Sequence, residues 1–199
     1  VKRQMVSDVP VGAFLSGGLD SSAVVAFAHE AYPENKLQCF TIALNNRDAL
    51  KEDIADDLPY AEAVARHLGV DLHTVQVGPE MADELSNMIY YLDEPQADPA
   101  PLNVLFISRL AREHGIKVLL SGAGGDDIFT GYRRHQALEM ERYWSWLPKA
   151  ARCTLADMAR ALPARPTALR RLGKALQYAD RDGDSRLASY FYWLEPGMV

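Results

Sequence analysis

The sequence predicts an α/β fold, in which a parallel sheet carries helices on both faces and is followed by a helical C-terminal extension. Strand-like and helix-like patterns alternate through the first two thirds of the 199-residue chain, and this alternation is typical of a parallel sheet. Two glycine-rich segments directly follow strand patterns. Because parallel strands end at the same edge of the sheet, both segments are expected at the edge where ligands bind.

Four apolar runs predict the strands, and they cover residues 11–15, 37–43, 71–77 and 117–120. Apolar residues at helical spacing predict helices over residues 23–32, 58–68, 80–92 and 102–114. The polar segment 45–57 and the proline-rich segment 93–101 are expected to be loops. Strand patterns stop near residue 135, which predicts a sheet-forming core, residues 1–134, and a helical part, residues 135–199. Aromatic residues are expected to form the core of the helical part: Trp144, Trp146, Tyr190, Phe191, Tyr192 and Trp193.

Charge and cysteine content exclude several classes of partner. The core carries 11 Lys and Arg against 20 Asp and Glu, whereas the helical part carries 10 against 7. An acidic core is a poor surface for nucleic acid, and no apolar stretch is long enough to span a membrane. We therefore expect neither nucleic acid nor a membrane as a partner.

Cys39 and Cys153 have no metal-ligand spacing and suggest no disulfide framework, which predicts a cytoplasmic protein.

The segment that we call the first loop, residues 16–22, reads Ser-Gly-Gly-Leu-Asp-Ser-Ser and joins a strand pattern to a helix pattern. Glycines let the backbone approach a polyanion, and the N–H groups at a helix start favour an anion. Asp20 adds a hard oxygen ligand for a divalent cation. The alternative is a purely structural turn of small residues, in which a polar side chain caps the helix. The complete heptapeptide favours a cradle for pyrophosphate and magnesium, and it resembles the PP-loop of enzymes that split ATP between its α- and β-phosphates.

A second segment repeats this chemistry. Residues 121–127, the second loop, read Ser-Gly-Ala-Gly-Gly-Asp-Asp and also follow a strand pattern. Asp126 is the candidate for a second carboxylate on the metal, opposite Asp20. Such a stretch alone is more often a flexible turn. Its pairing with the first loop, and the sequence Ile-Phe-Thr-Gly-Tyr that follows, make it specific.

Residues 8–12, 15–22 and 120–132 together resemble the synthetase domain of glutamine-hydrolysing asparagine synthetase. The resemblance includes residues 93–95, covers residues 1–135 well and covers residues 136–199 loosely. It implies an amide-forming ligase that uses ATP and Mg²⁺ to adenylate the side-chain carboxylate of aspartate. Ammonia from a glutaminase domain then displaces AMP, so that the products are asparagine, AMP and pyrophosphate.

The resemblance also implies roles for particular residues. Asp20 and Asp126 would be the catalytic carboxylates that hold magnesium. Phe14 and Ile42 would contact the nucleoside, and Ser121 and Gly122 would contact the adenylate. The first loop would hold pyrophosphate through Ser16, Gly17, Gly18, Asp20, Ser21 and Ser22. A Lys or Arg that clamps the substrate carboxylate is expected on chemical grounds, but residues 95–101 contain none.

Because the sequence departs from the family pattern in two respects, alternative functions are also considered. Ala123 stands where the family usually carries an acidic residue, and alanine can do no acid–base work. The chain also resembles only a fragment, without the N-terminal glutaminase domain and without the C-terminal end of the site, which predicts inactivity on its own. The alternatives are a ligase of the β-lactam synthetase or lasso-peptide cyclase type, which activates another carboxylate, and a nucleotide-binding module without turnover. A tRNA-modifying PP-loop enzyme is disfavoured by the acidic core, and a homodimer is one arrangement that the sequence allows.

Overall fold

The structure is a computed structural model that describes residues 1–44, 57–94, 96, 98, 100–163 and 167–192. The chain divides into two compact units, Val1–Gly124 and Gly125–Val199. The predicted loop over residues 45–57 lies outside the described residues except for Asp57, and parts of the predicted loop over residues 93–101 lie outside them as well.

Four parallel strands form the sheet of the first unit: β1 (Val11–Phe14), β2 (Gln38–Leu44), β3 (Asp71–Val77) and β4 (Val118–Leu120). Their order is β3-β2-β1-β4, and Ala13 lies opposite both Cys39 and Leu120. The order reverses between β1 and β4, because β2 and β3 extend from one side of β1 and β4 adds to the other. Such a switch point opens a crevice at the carboxyl ends of the two strands.

The helices of the first unit are α1 (Leu19–Ala31), α2 (Leu58–Leu68), α3 (Leu85–Tyr91) and α4 (Ala100–Glu113), with 3-10 helices at Lys2–Met5 and Pro79–Glu84. The predicted start of α1 at residue 23 was wrong, since the helix begins four residues earlier, at Leu19. The polar first turn of this helix lacks the apolar periodicity that marks a helix. The helix predicted over residues 80–92 is also wrong in part. It is a 3-10 helix followed by a short α-helix, since Pro79 begins a tight first turn.

Helices cover both faces of the sheet, which confirms the predicted fold class. On one face, Ala13, Leu15 and Cys39 pack with Val25 and Ala28 of α1 and with Ala61 and Ala65 of α2. On the other face, Phe40 packs with Ile107 and Ala111 of α4, and Phe14 and Ile42 border this cluster. Neighbouring residues of β1 and β2 therefore point to opposite layers, as the period of a strand requires.

The regular elements that the structure describes in the second unit are all helices: α5 (Gly125–Ile128), α6 (Arg133–Met140), α7 (Lys149–Arg160), α8 (Thr167–Leu176), α9 (Gly183–Ser189) and a 3-10 helix at Glu141–Tyr143. The expected aromatic core was wrong for Trp146, which is 73% exposed, and for Phe191 and Tyr192, which are also exposed. Trp144 and Tyr190 are partly buried, and Trp193 lies outside the described residues. Small residues allow the helices of this unit to pack closely, and the buried apolar side chains among its described residues are those of Ala156, Ala159 and Ala179. No described helix is both long and apolar enough to cross a bilayer.

Arg152, on α7, is a buried charged residue of the second unit. Its guanidinium donates to the carbonyl oxygens of Ala179 at 2.9 Å and Arg181 at 2.8 Å, and it forms an ion pair with Asp182. These acceptors lie in the segment between α8 and α9. A planar guanidinium can bind several carbonyl groups and a carboxylate at once, so one side chain ties α7 to the segment that joins the two following helices.

We predict that the ionised carboxylate of Asp182 stabilises the second unit, and that this stabilisation is lost at acidic pH. Hydrogen bonds from Arg152 and Lys149 lower the pKa of Asp182 to about 2, whereas a free aspartate titrates at about 3.9. The stabilisation is present above about pH 4 and is lost as pH falls towards 2. Denaturant midpoints measured between pH 5 and pH 2 should therefore fall less steeply in Asp182→Asn than in the parent protein. Asp157→Asn, which removes an exposed carboxylate paired with Arg160, is the control and should keep the parental slope. Equal slopes for all three proteins would contradict the prediction.

We predict that the thiol of Cys39 is inert in the folded protein. Cys39 is fully buried on β2, and burial, with a smaller contribution from the charge of Asp71, raises its pKa to about 12. The thiolate, which is the reactive form, is therefore scarce at pH 8. In a Cys153→Ser variant, a chromogenic disulfide reagent should label no thiol in buffer and one thiol in denaturant. Rapid labelling of the folded variant would show that the prediction is wrong.

Candidate functional site

The start of α1 positions the first loop. Gly18 is the N-cap residue, and the first hydrogen bond of the helix runs from the N–H of Ser22 to the carbonyl oxygen of Gly18 at 3.0 Å. Asp20, Ser21 and Ser22 therefore lie in the first turn of the helix and not in a preceding loop. The N–H groups of Leu19, Asp20 and Ser21 precede the first helical hydrogen bond, and they form the positive end of the helix dipole. Four residues of the heptapeptide are thus part of a helix start.

Two serine hydroxyls brace the first loop internally. The Oγ atoms of Ser16 and Ser21 lie 3.0 Å apart. The Ser21 hydroxyl also donates to the carbonyl oxygen of Gly18 at 3.2 Å and accepts from the N–H of Ser16 at 3.3 Å. A hydroxyl has one proton, so the Ser16 hydroxyl donates to that of Ser21. Ser22 differs, because its Oγ is buried and has no hydrogen-bond partner in the part of the chain that the structure describes.

Gly17 lets α2 approach the first loop. Its φ angle is +80°, in the left-handed region, where a side chain is strained. A Cβ atom at Gly17 would also lie 2.5 Å from the backbone nitrogen of Ala61 in α2. The loop therefore follows a path that only glycine accommodates, and the start of a second helix packs against it.

Gly122 brings the second loop against the first. A Cβ atom at this position would lie 2.7 Å from the backbone nitrogen of Ser21 and 3.1 Å from the Cβ of Asp20. In the same turn, the hydroxyl of Ser121 accepts the N–H of Ala123 at 3.0 Å. Gly122 thus lies against the helix start that carries Asp20. The structure places Ser121 and Gly122 beside the first loop, at the switch point between β1 and β4.

Phe14 and Ile42 lie at the carboxyl ends of β1 and β2. Both are partly buried and border the cluster on the sheet face that α4 covers. They leave a partly exposed apolar surface next to the first loop. Contact with a nucleoside stays a prediction for both residues.

Asp126 belongs to the second unit, in the short helix α5. The N–H of Gly131 donates to its backbone oxygen at 2.9 Å, and Asp127 forms an ion pair with Arg134 at 3.5 Å. The two predicted metal ligands therefore belong to different units. A site that combines Asp20 with Asp126 stays a prediction.

The chemistry of these residues fits magnesium when ATP supplies the remaining ligands. Mg²⁺ prefers oxygen, and it is commonly held by one or two carboxylates together with substrate phosphates. Within the described residues, no group of three or more His, Cys, Asp or Glu side chains could hold a metal ion. Asp20 and Asp126 supply two carboxylates, which is the number that Mg²⁺ commonly takes from protein where phosphates supply other ligands.

Sequence reasoning missed two contacts that shape the site. The packing of α2 on Gly17 joins residues more than 40 positions apart, and nothing local in the sequence indicates it. The contact between Gly131 and Asp126 lies within residues 120–132, which carry the family resemblance. The sequence indicated no role for Gly131. The acidic pair Asp93 and Glu94, which the family resemblance includes, is exposed in the structure.

Comparison with known proteins assigns most of the chain to one family. The family model described as asparagine synthase matches residues 1–196. A putative glutamine-hydrolysing asparagine synthetase of Mycobacterium tuberculosis is 38% identical over 164 residues, which is 82% of this chain and 24% of that protein. Asparagine synthetase 1 of Bacillus subtilis is 32% identical over the same shares of the two chains. The chain spans about a quarter of the length of these relatives.

This chain is also similar to proteins that are not named asparagine synthetase. A Penicillium rubens protein named amidase chyE is 30% identical over 161 residues, which is 73% of this chain and 23% of that protein. Among solved structures, an ammonia-dependent NAD synthetase of Campylobacter jejuni has a TM-score of 0.41 and 12% identity, covering 92% of this chain and 93% of that chain.

We predict that Gly122→Ala destabilises the first unit, because its new Cβ would meet backbone atoms at the start of α1 that cannot rotate away. A forced backbone shift of this kind costs about 1–3 kcal/mol. The free energy of unfolding, measured by denaturant titration, should fall by that amount. Gly18→Ala is the matched control, because its Cβ would meet only the Ser16 hydroxyl at 3.4 Å. It should change stability by less than about 1 kcal/mol. Equal losses for the two variants would argue against the close approach of the two loops.

Proposed function

Because the chain belongs to the asparagine synthase family, we propose that it is the ATP-splitting part of a ligase that forms an amide from a carboxylate and ammonia. The observation that carries the proposal is the helix start at Gly18, where two glycine-rich loops meet at the switch point of a parallel sheet. Phosphate groups bind at such places, because free N–H groups and the helix dipole face the ligand.

The proposed reaction has two steps. An oxygen of the substrate carboxylate attacks the α-phosphorus of ATP, a new P–O bond forms, and pyrophosphate leaves. Ammonia then attacks the acyl carbon of the adenylate and loses a proton, AMP leaves with the electron pair of the broken C–O bond, and the amide remains. The first step places negative charge on the departing pyrophosphate, so donors that are already oriented accelerate it most.

We assign the chain's own groups to this first step. The N–H groups at Leu19, Asp20 and Ser21 would bind pyrophosphate oxygens, with help from the hydroxyl of Ser22. The hydroxyl of Ser16 would also help once its proton turns from the Ser21 oxygen to the ligand. The Ser21 hydroxyl would brace the loop, since its hydrogen bonds lie inside the loop. Phe14 and Ile42 would contact the nucleoside, and Ser121 and Gly122 would contact the adenylate.

We propose that Asp20 and Asp126 hold magnesium together with the phosphates of ATP. When bound, the cation would neutralise charge on the departing pyrophosphate. The acidic character of the core supports this role, because 20 acidic residues against 11 basic ones repel a bare nucleotide and a divalent cation offsets this repulsion.

Aspartate is the proposed acceptor, since relatives named asparagine synthetase reach 38% identity. Another carboxylate is the second candidate. Two observations favour keeping it: Ala123, which supplies no acid–base group, and a relative at 30% identity that carries the name amidase. The ammonia would come from a glutaminase domain of the same full-length protein, and the reaction would take place in the cytoplasm, where thiols such as Cys39 and Cys153 stay free.

The proposal predicts carboxylate-dependent release of pyrophosphate by the full-length protein. The assay supplies MgATP, an ammonium salt and either aspartate or one of a panel of other carboxylates, and it measures pyrophosphate and AMP in equal amounts. Asp20→Asn should lower the rate at least about a hundredfold, because it removes charge stabilisation in the transition state. Glu30→Gln, which changes an exposed carboxylate at the other end of α1, should leave the rate unchanged.

The outcomes separate the candidate functions. Release with aspartate supports the asparagine-forming reaction, and release with another carboxylate only supports the second candidate. Binding of MgATP by calorimetry without release for any carboxylate would refute the ligase proposal and leave a nucleotide-binding module.

A further inference from the structure

We infer that Arg134 and Gly131 are positioning residues that fix the orientation of the carboxylate of Asp126, which would hold magnesium. This inference rests on the proposed function, because it assumes that Asp126 is a metal ligand. It concerns only the second unit, in which all the residues that carry it lie.

Arg134 is held by three groups at once. Its guanidinium lies over the rings of Tyr132 at 4.1 Å and Phe191 at 5.1 Å. It also forms the ion pair with Asp127, the neighbour of Asp126 on α5. Its Nε is buried and has no hydrogen-bond partner among the described residues. A guanidinium that lies over two rings and is partly desolvated is oriented more firmly than a surface arginine, so Arg134 can anchor the acidic turn to α6.

Gly131 limits the Asp126 side chain directly. A Cβ atom at Gly131 would overlap with Oδ1 of Asp126, so the observed carboxylate orientation is compatible with glycine alone. The same residue donates its N–H to the backbone oxygen of Asp126. Thr130, which precedes it, has a φ angle of +58°, a conformation that β-branched residues rarely adopt. Such a turn persists only where surrounding contacts hold it.

The two residues restrict different parts of the same ligand. Arg134 restrains the turn through its ion pair with the side chain of Asp127, and Gly131 leaves room for the side chain of Asp126. Residues that orient a metal ligand without touching the metal commonly change metal affinity by about 10–100-fold when they are replaced. We therefore expect both residues to act on metal binding rather than on the chemistry of the substrate.

The test measures the affinity for Mn²⁺, a paramagnetic substitute for Mg²⁺, by electron paramagnetic resonance of the full-length protein with α,β-methylene-ATP. Arg134→Gln and Gly131→Ala should each weaken Mn²⁺ binding about tenfold. Arg134→Lys should also weaken it, because an ammonium does not stack like a planar guanidinium. Pyrophosphate release by these variants should recover at high Mg²⁺, so the loss is in the Mg²⁺ requirement and not in the maximal rate.

Arg142→Gln is the matched control. Arg142 also lies over a tyrosine ring, Tyr143 at 4.8 Å, and pairs with a carboxylate, Glu139 at 3.6 Å, but it has no contact with the acidic turn in the described structure. Its Mn²⁺ affinity should equal that of the parent protein. If Arg134→Gln fails to fold, as judged by its thermal unfolding, Gly131→Ala decides the question.

The two possible failures are distinguishable. Parental Mn²⁺ affinity in Gly131→Ala and in folded Arg134→Gln, together with lost affinity in Asp126→Asn, overturns this inference and leaves the proposed function intact. Parental affinity in Asp126→Asn overturns the metal-binding role of Asp126 in the proposed function itself. A tenfold loss in Arg142→Gln would also overturn the inference, because the effect would not be specific to the acidic turn.

Discussion

The pairing of β1 with β4 is the constraint on which the candidate site depends. Ala13 lies opposite Leu120 in the register of these strands, so the first and second loops begin at neighbouring points of one edge. The absence of a side chain at Gly122 then allows this residue to approach the backbone at Ser21 closely. A bulkier residue would separate two segments that are about a hundred positions apart in the chain. Everything proposed about phosphate binding assumes this contact.

The start of α1 is braced by side-chain hydrogen bonds and still keeps its first N–H groups available. Its internal hydrogen bonds involve the hydroxyls of Ser16 and Ser21, and they preserve the turn without using the first N–H groups of the helix. These groups therefore stay available to a ligand. The surrounding core is acidic, so the same surface that offers donors to an anion also repels it at a distance. In the proposed function, a divalent cation that accompanies the nucleotide would offset this repulsion.

The second unit is stabilised by different means. Its buried apolar residues are alanines, and the charged groups Arg152 and Glu141 are buried among them. Each has a partner: Arg152 binds two carbonyl groups and Asp182, and Glu141 pairs with Arg186 at 2.8 Å. Buried pairs of this kind contribute less to stability than apolar packing, but loss of one partner is costly because the other charge remains buried. This unit therefore depends on specific polar contacts, and the turn that carries Asp126 follows the same principle.

The sequence by itself determined the fold class, the strands and the loops that follow β1 and β4, because strand and helix periodicities and glycine-rich turns are local signals. It also identified the family through the two loop motifs. Only the tertiary structure decided that α1 begins at Leu19, since polar residues at a helix start carry no apolar period. It alone revealed the approach of α2 to Gly17, the bracing role of the Ser21 hydroxyl and the contact between Gly131 and Asp126. These features depend on distances between atoms, and neither composition nor spacing along the chain encodes such distances.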